Sequence, residues 1–174
     1  MNAIKETEMP YSIGDKIVHA YYGVGQIIDI EEKILNDNAT TYFVVETRNS
    51  TFWLPVEKAD NERIRPITSS ETIEKNVVET LEADPQVMAS HYKTRKKRIK
   101  DVRQSGEIVP IARLVRDLTY RQFTKGNITD VENRNLEKLR NRLVSEWARS
   151  VGTTRREVRK KIRKILQQHR KEIA

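Results

Sequence analysis

The hydrophobic period of this chain changes once, near Thr68, and that change dictates what kinds of core it can build. Upstream, short β-type runs are separated by turn residues. Ile17-Val18 follows Gly14-Asp15, Gln26 to Ile30 follows Gly23-Val24-Gly25, Thr40 to Glu46 follows Asn36-Asp37-Asn38, and Thr51 to Leu54 stops at Pro55. Downstream, apolar residues recur at helical spacing, beginning with Ile73, Val77, Val78 and Leu81. Side chains alternate across a strand but return every three or four residues on a helix, so a stretch written in one period cannot bury its apolar face in the other. The chain must therefore be a β module followed by a helical one.

Four or five short antiparallel strands in under about sixty residues imply a small, strongly bent sheet or barrel. Phe52 and Trp53 point to opposite faces of their strand, so only one of them can fill so small a core. In the helical half, Asp84-Pro85 reads as an N-cap with proline at the first helical position. That helix carries Met88, Tyr92, Ile99 and Val102 on one side and ends near Gly106. Glu107 to Lys125 forms the next helix, with Ile111, Leu114, Val115 and Leu118 inward. Capping boxes at Thr129/Glu132 and Thr154/Glu157 open the last two, separated by Gly152. The expected fold class is α+β: a disordered N-terminus over 1–10, a β module over 11–67, a linker over 68–70, and a compact all-α domain of about five helices over 71–174.

Charge divides at nearly the same place. Residues 1–87 hold 8 Lys+Arg against 16 Asp+Glu, and residues 88–174 hold 25 against 9. The acidic half is ill suited to lie along phosphates, whereas the basic half carries a field that attracts nucleic acid. The densest stretch is Ser90 to Lys100, with Lys93, Arg95, Lys96, Lys97, Arg98 and Lys100. From His91 to Lys100 there is no Asp or Glu to compensate them. A charge run of this kind is either a solvated helix face or a polyanion site, and uncompensated self-repulsion favours the second.

Catalysis finds little support. The chain has no cysteine, and His19, His91 and His169 fall in three separate elements without metal-ligand spacing. Gly23-Val24-Gly25 is too short for a phosphate-cradling loop, and Glu31-Glu32 borders a turn and reads as solvent-facing. We expect no enzymatic activity, no cofactor, no metal and no small-molecule substrate. With no apolar run near the roughly 20 residues that span a bilayer, no membrane association is expected, and the chain reads as a cytoplasmic, nucleoid-associated monomer.

The run from Tyr11 to Ile27, YSIGDKIVHAYYGVGQI, resembles the opening signature of the CarD family of bacterial RNA-polymerase-binding transcription regulators, whose first module is shared with transcription-repair coupling factor. Tyr42-Phe43-Val44-Val45, Leu54-Pro55-Val56-Glu57, Ile64-Arg65-Pro66-Ile67, Tyr92-Lys93 and Leu114-Val115-Arg116-Asp117-Leu118 continue the likeness in the family's order. The resemblance implies a Tudor/SH3-like module that binds the RNA polymerase β subunit, with Lys33 and Trp53 as polymerase contacts. It also implies a helical domain on double-stranded promoter DNA at the upstream bubble edge, stabilising the open complex. Where many members carry a DNA-wedging Trp, this chain has Met88, which is either an apolar wedge or part of the Tyr92–Ile99 stripe. The usual Tyr-Pro is His19-Ala20, and the usual His before the glycine is Tyr22. The candidate DNA contacts are Met88, His91, Lys93, Arg95, Lys96, Lys97 and Lys100. An RNA-binding or ribosome-associated factor is the alternative, since a small β-barrel beside a basic helical domain serves there too.

Overall fold

A computed structural model of the chain describes residues 9–35, 38–59, 61, 63–126 and 128–171. The expected disordered segment up to residue 8 and the Asn36-Asp37 part of the turn signal lie outside them. The chain divides into two compact units after Ile67.

The first unit is an antiparallel sheet of β1 (Lys16–His19), β2 (Gly23–Leu35), β3 (Asn38–Thr47), β4 (Thr51–Pro55) and β5 (Ile64–Pro66), in the spatial order β4-β3-β2-β1-β5. Period-two patterning turns Ile17, Ile27, Phe43, Val45 and Leu54 into one core, and Phe52 packs against it. In β2 the apolar residues Ile27 and Ile30 are three apart, which strict alternation would send to opposite faces. A bulge at Ile28 absorbs the extra residue, so Ile27 pairs with Val45 and Ile30 with Phe43. The sheet curls enough for Phe52 of β4 to reach the ring of His19 on β1, 5.6 Å between centroids, although those strands are not neighbours.

The second unit holds five helices. Residues Ser70–Thr72, Ile73–Val77 and Val78–Glu82 run on as α1, whose middle section is π-helical. Then come α2 (Tyr92–Ser105), α3 (Ile108–Lys125), α4 (Asp130–Val151) and α5 (Arg155–Lys171). Both capping boxes form as the sequence implies: Glu132 N–H donates to Thr129 Oγ1 and Glu157 N–H to Thr154 Oγ1, each at 3.2 Å. One core gathers Ile73, Val77 and Leu81 of α1 with Leu114, Leu118, Leu139, Trp147 and Ile162 of the later helices. His169 Nε2, buried near the end of α5, lies 2.8 Å from the Leu81 carbonyl of α1.

Three expectations change. The stretch 68–70 is not a free linker: Thr68 donates its N–H and hydroxyl to the buried Glu146, and the Ser69 hydroxyl caps α1 by accepting from Thr72 N–H. Asp84-Pro85 does not open the basic helix, which begins at Tyr92 with His91 as its N-cap. Between them, residues 83–91 run without helix. The reason is a set of buried ions that satisfy this segment's backbone from outside. Asp117, fully buried, accepts from Gln86 N–H at 3.0 Å, from Arg116 at 2.8 Å and from Arg98 at 2.5 Å.

Arg95 is the third change. Only 5% exposed, it donates to the carbonyls of Ala89 and Ser90 and to Glu132 Oε1 at 2.5 Å, so it faces the core and leaves the set of candidate DNA contacts. Held in this way, the segment delivers Met88 into the helical core, where it is 5% exposed, so its side chain is a packing residue and not a presented wedge.

Burial on its own raises the Glu132 carboxyl, but hydrogen bonds from Arg95 and Thr129 together with the Arg95 charge outweigh it, and the net direction is below the ordinary 4.5. A carboxyl depressed in the folded state stabilises it fully above the unfolded value and loses that contribution as pH falls through the folded one.

Two outcomes follow. Gly25 faces the core where an added Cβ would stand 2.5 Å from Val45 Cγ1, so Gly25→Ala should destabilise the β unit by about 1–3 kcal/mol in chemical denaturation. Arg95→Met strands a buried carboxylate and should cost about 3–5 kcal/mol at neutral pH. Pairing it with Glu132→Leu should recover the part due to the stranded carboxylate, though not the Ala89 and Ser90 carbonyl contacts or the Thr129 capping contacts. In urea melts at a series of pH values it should also weaken the acid-side decline expected of the wild type as pH falls below the ordinary carboxylate range.

Candidate functional site

The outward face of the sheet brings together the two residues singled out for it. Trp53, on β4, is 45% exposed, and the Lys33 ammonium of β2 sits 3.6 Å from its ring centroid. The strand in between supplies Tyr42, whose ring is 6.0 Å from the same ammonium. Glu31, two residues before Lys33 and so on the same face, accepts from Trp53 Nε1 at 2.9 Å and lies 3.7 Å from Lys33 Nζ. An indole that would otherwise rotate freely is thus fixed at both its edge and its face, leaving a flat aromatic surface with a cation above it. Glu31, expected only to face solvent, and Tyr42, quoted only within the family likeness, were not expected at this face. The i, i+2 alternation of Glu31 and Lys33 on a long strand is the signal that could have found Glu31.

A second aromatic group forms at the β1–β2 turn. The His19 and Tyr22 rings lie 4.8 Å apart, and Tyr22 stacks on Phe52 at 4.5 Å. His19 and Tyr22, two of the positions at which the opening run departs from the signature it resembles, therefore touch one another. Burial, then the nearby Arg63 charge, pushes the His19 imidazole below its usual value. In the neutral form Nδ1 accepts the N–H groups of Tyr21 and Tyr22 at 3.0 and 3.2 Å and shapes the turn. Tyr21, 81% exposed, projects from it.

In the helical unit α2 divides its cations by depth. Arg95 and Ile99 are buried, and Arg98 reaches inward to Asp117. Lys93, Lys96, Lys97 and Lys100 are exposed, as is His91 before them, and none of the four lysines has a carboxylate partner among the described residues. Lys93, Lys97 and Lys100 share one side at i, i+4 and i+7, with Lys96 beside them. The lysine row is held in place because the helix beneath it is anchored by the buried Arg95–Glu132 pair and by Arg98 on the buried Asp117. On α5, Arg156, Arg159, Lys160, Lys161, Arg163 and Lys164 are likewise exposed.

Among the described residues no group of three His, Cys, Asp or Glu is placed to hold a metal ion, and no helix is long and apolar enough to cross a membrane. The sheet thus exposes a fixed aromatic beside a cation, and α2 exposes a row of lysines.

Comparison with known proteins agrees with this division. Residues 11–68 match the CarD-like/TRCF RID domain, and residues 76–163 match the CarD C-terminal domain. A Bacillus subtilis (strain 168) protein named "Putative transcription factor YdeB" is 28% identical over 151 residues, spanning 86% of this chain and 97% of that protein. The two domain matches follow the sheet and the helices in order and together take in most of the molecule, and the chain belongs to the CarD family of transcription regulators.

Proposed function

We propose that this regulator acts at initiation without catalysis. The β unit holds the RNA polymerase β subunit through the Lys33–Trp53 face, and the helical unit holds promoter DNA at the upstream edge of the bubble and stabilises the open complex. The observation that carries the DNA half is the exposed row Lys93, Lys96, Lys97 and Lys100 on a helix fixed from beneath by Arg95–Glu132 and Arg98–Asp117. Lysines present point charges to phosphate and carry no base code, so recognition is of backbone and shape. With Met88 in the core, the grip is electrostatic.

The polymerase half is supported by the match of residues 11–68 to a domain of this class and by the exposure of a pre-fixed aromatic, which costs little conformational entropy on binding. The acidic balance of residues 1–87 suits a protein partner better than a nucleic acid.

Four phosphate contacts give an expected slope of log affinity against log salt of about −3 to −4 on promoter duplex. Lys93→Glu with Lys97→Glu should weaken binding and reduce that slope by about 2, and a flat salt dependence of the wild type would remove the DNA assignment. For the β unit, retention of core RNA polymerase by immobilised full-length chain should fall sharply with Lys33→Glu or Trp53→Ala while circular dichroism stays unchanged. Undiminished retention by both variants would show that the partner lies elsewhere.

A further inference from the structure

The helical unit contains a cleft of about 530 Å³ between α3, α4 and α5, a volume within the range of small-ligand sites. Its floor is apolar, formed by Val144, Ile162 and Leu166. Four arginines line it, Arg140, Arg159, Arg163 and Arg170, against one carboxylate, Glu137. Such an excess of guanidinium around an apolar floor asks for a ligand that is anionic at one end and apolar at the other.

The arginines are held ready in different ways. Arg159 donates to the neutral Asn141 Oδ1 at 2.9 Å, an acceptor that orients a guanidinium without cancelling its charge. Arg140 is split between Glu137 at 2.8 Å and the Thr119 hydroxyl at 2.8 Å. Arg163, exposed, has no partner among the described residues. Arg170 lies over the Phe123 ring at 5.7 Å, making a flat, cationic and aromatic end wall. On α5, Arg163 and Arg170 are seven residues apart, about 10 Å along the axis.

We infer that this cleft binds a nucleoside phosphate, its base against the Phe123–Arg170 wall and its phosphates on Arg159 and Arg163. Guanidinium forks match phosphate oxygens in pairs, and a base stacks on an aromatic or guanidinium plane. An acidic peptide would satisfy the forks but leave the flat wall unused. The site is separate from the α2 lysines, so it stands or falls independently of the proposed DNA grip.

Calorimetric titration of the full chain with ATP tests this, with inorganic tripolyphosphate, adenosine and a short oligothymidine as comparators. ATP should bind at one saturable site, at least about tenfold tighter than tripolyphosphate or adenosine. Arg163→Glu should weaken ATP by about tenfold or more, the loss of a charge-assisted contact. Phe123→Ala should weaken ATP but leave tripolyphosphate unchanged, and Lys97→Glu should leave ATP unchanged. Equal affinity for tripolyphosphate and ATP, tighter oligothymidine binding with the same Arg163 dependence, or absence of saturable ATP binding would each overturn the assignment.

Discussion

The helical unit depends on burying charge where most helical domains bury only hydrocarbon. Asp117 and Glu132 each take arginine donors in a setting almost closed to water. Desolvating such ions is costly, and the cost is offset only because the arginines also bind backbone carbonyls that would otherwise lack partners, at Ala89 and Ser90 for Arg95 and at Thr80 for Arg116. The ions therefore position an irregular segment that neither hydrophobic packing nor helix geometry would hold. The exposed lysines inherit their fixed placement from it.

Much of this was legible in the sequence, and the exceptions share a cause. The change of period, both capping boxes and the closing Gly106 and Gly152 are local signals, and local signals survive without knowledge of neighbours. Trp53 and Lys33 could be named singly from resemblance, but their 3.6 Å approach across the intervening strand depends on register. The start of α2 was misread because Asp84-Pro85 has good capping chemistry, while the force that keeps 83–91 out of a helix comes from residues more than 20 positions downstream. Arg95 stands three residues after Tyr92 and four before Ile99, on the apolar stripe itself, so its inward turn was marked by spacing; its charge, shared with the surrounding lysines, masked that mark. Arg116-Asp117, read as part of a family pattern, proves to be half of the buried network.

The two units solve the problem of presenting charge differently. In the sheet a single lysine is held over an indole and close to a carboxylate, so its charge is muted and the surface is mainly aromatic. On α2 the lysines have no such company and project an unmuted field. Short-range shape suits a partner met in one fixed pose, and a long-range field suits one met along its length. The exposed turn at Tyr21 and Tyr22, set by a neutral His19, adds aromatic area to the sheet without adding charge.

The contact between His169 and the Leu81 carbonyl has a bearing on how the chain is made. The strands β1 to β5 and the core they enclose all lie before Ile67, so the sheet can close while the rest is still being synthesised. The helical unit joins its first helix to nearly its last turn, and its core takes residues from both. On the ribosome the sheet is therefore finished and available early, whereas the helical unit, with its strongly basic later helices, stays open until almost all of it has emerged. That open interval exposes its apolar faces beside a surface of ribosomal RNA, the very polyanion its lysines would seek, so prompt release and closure matter more for this half than for the other.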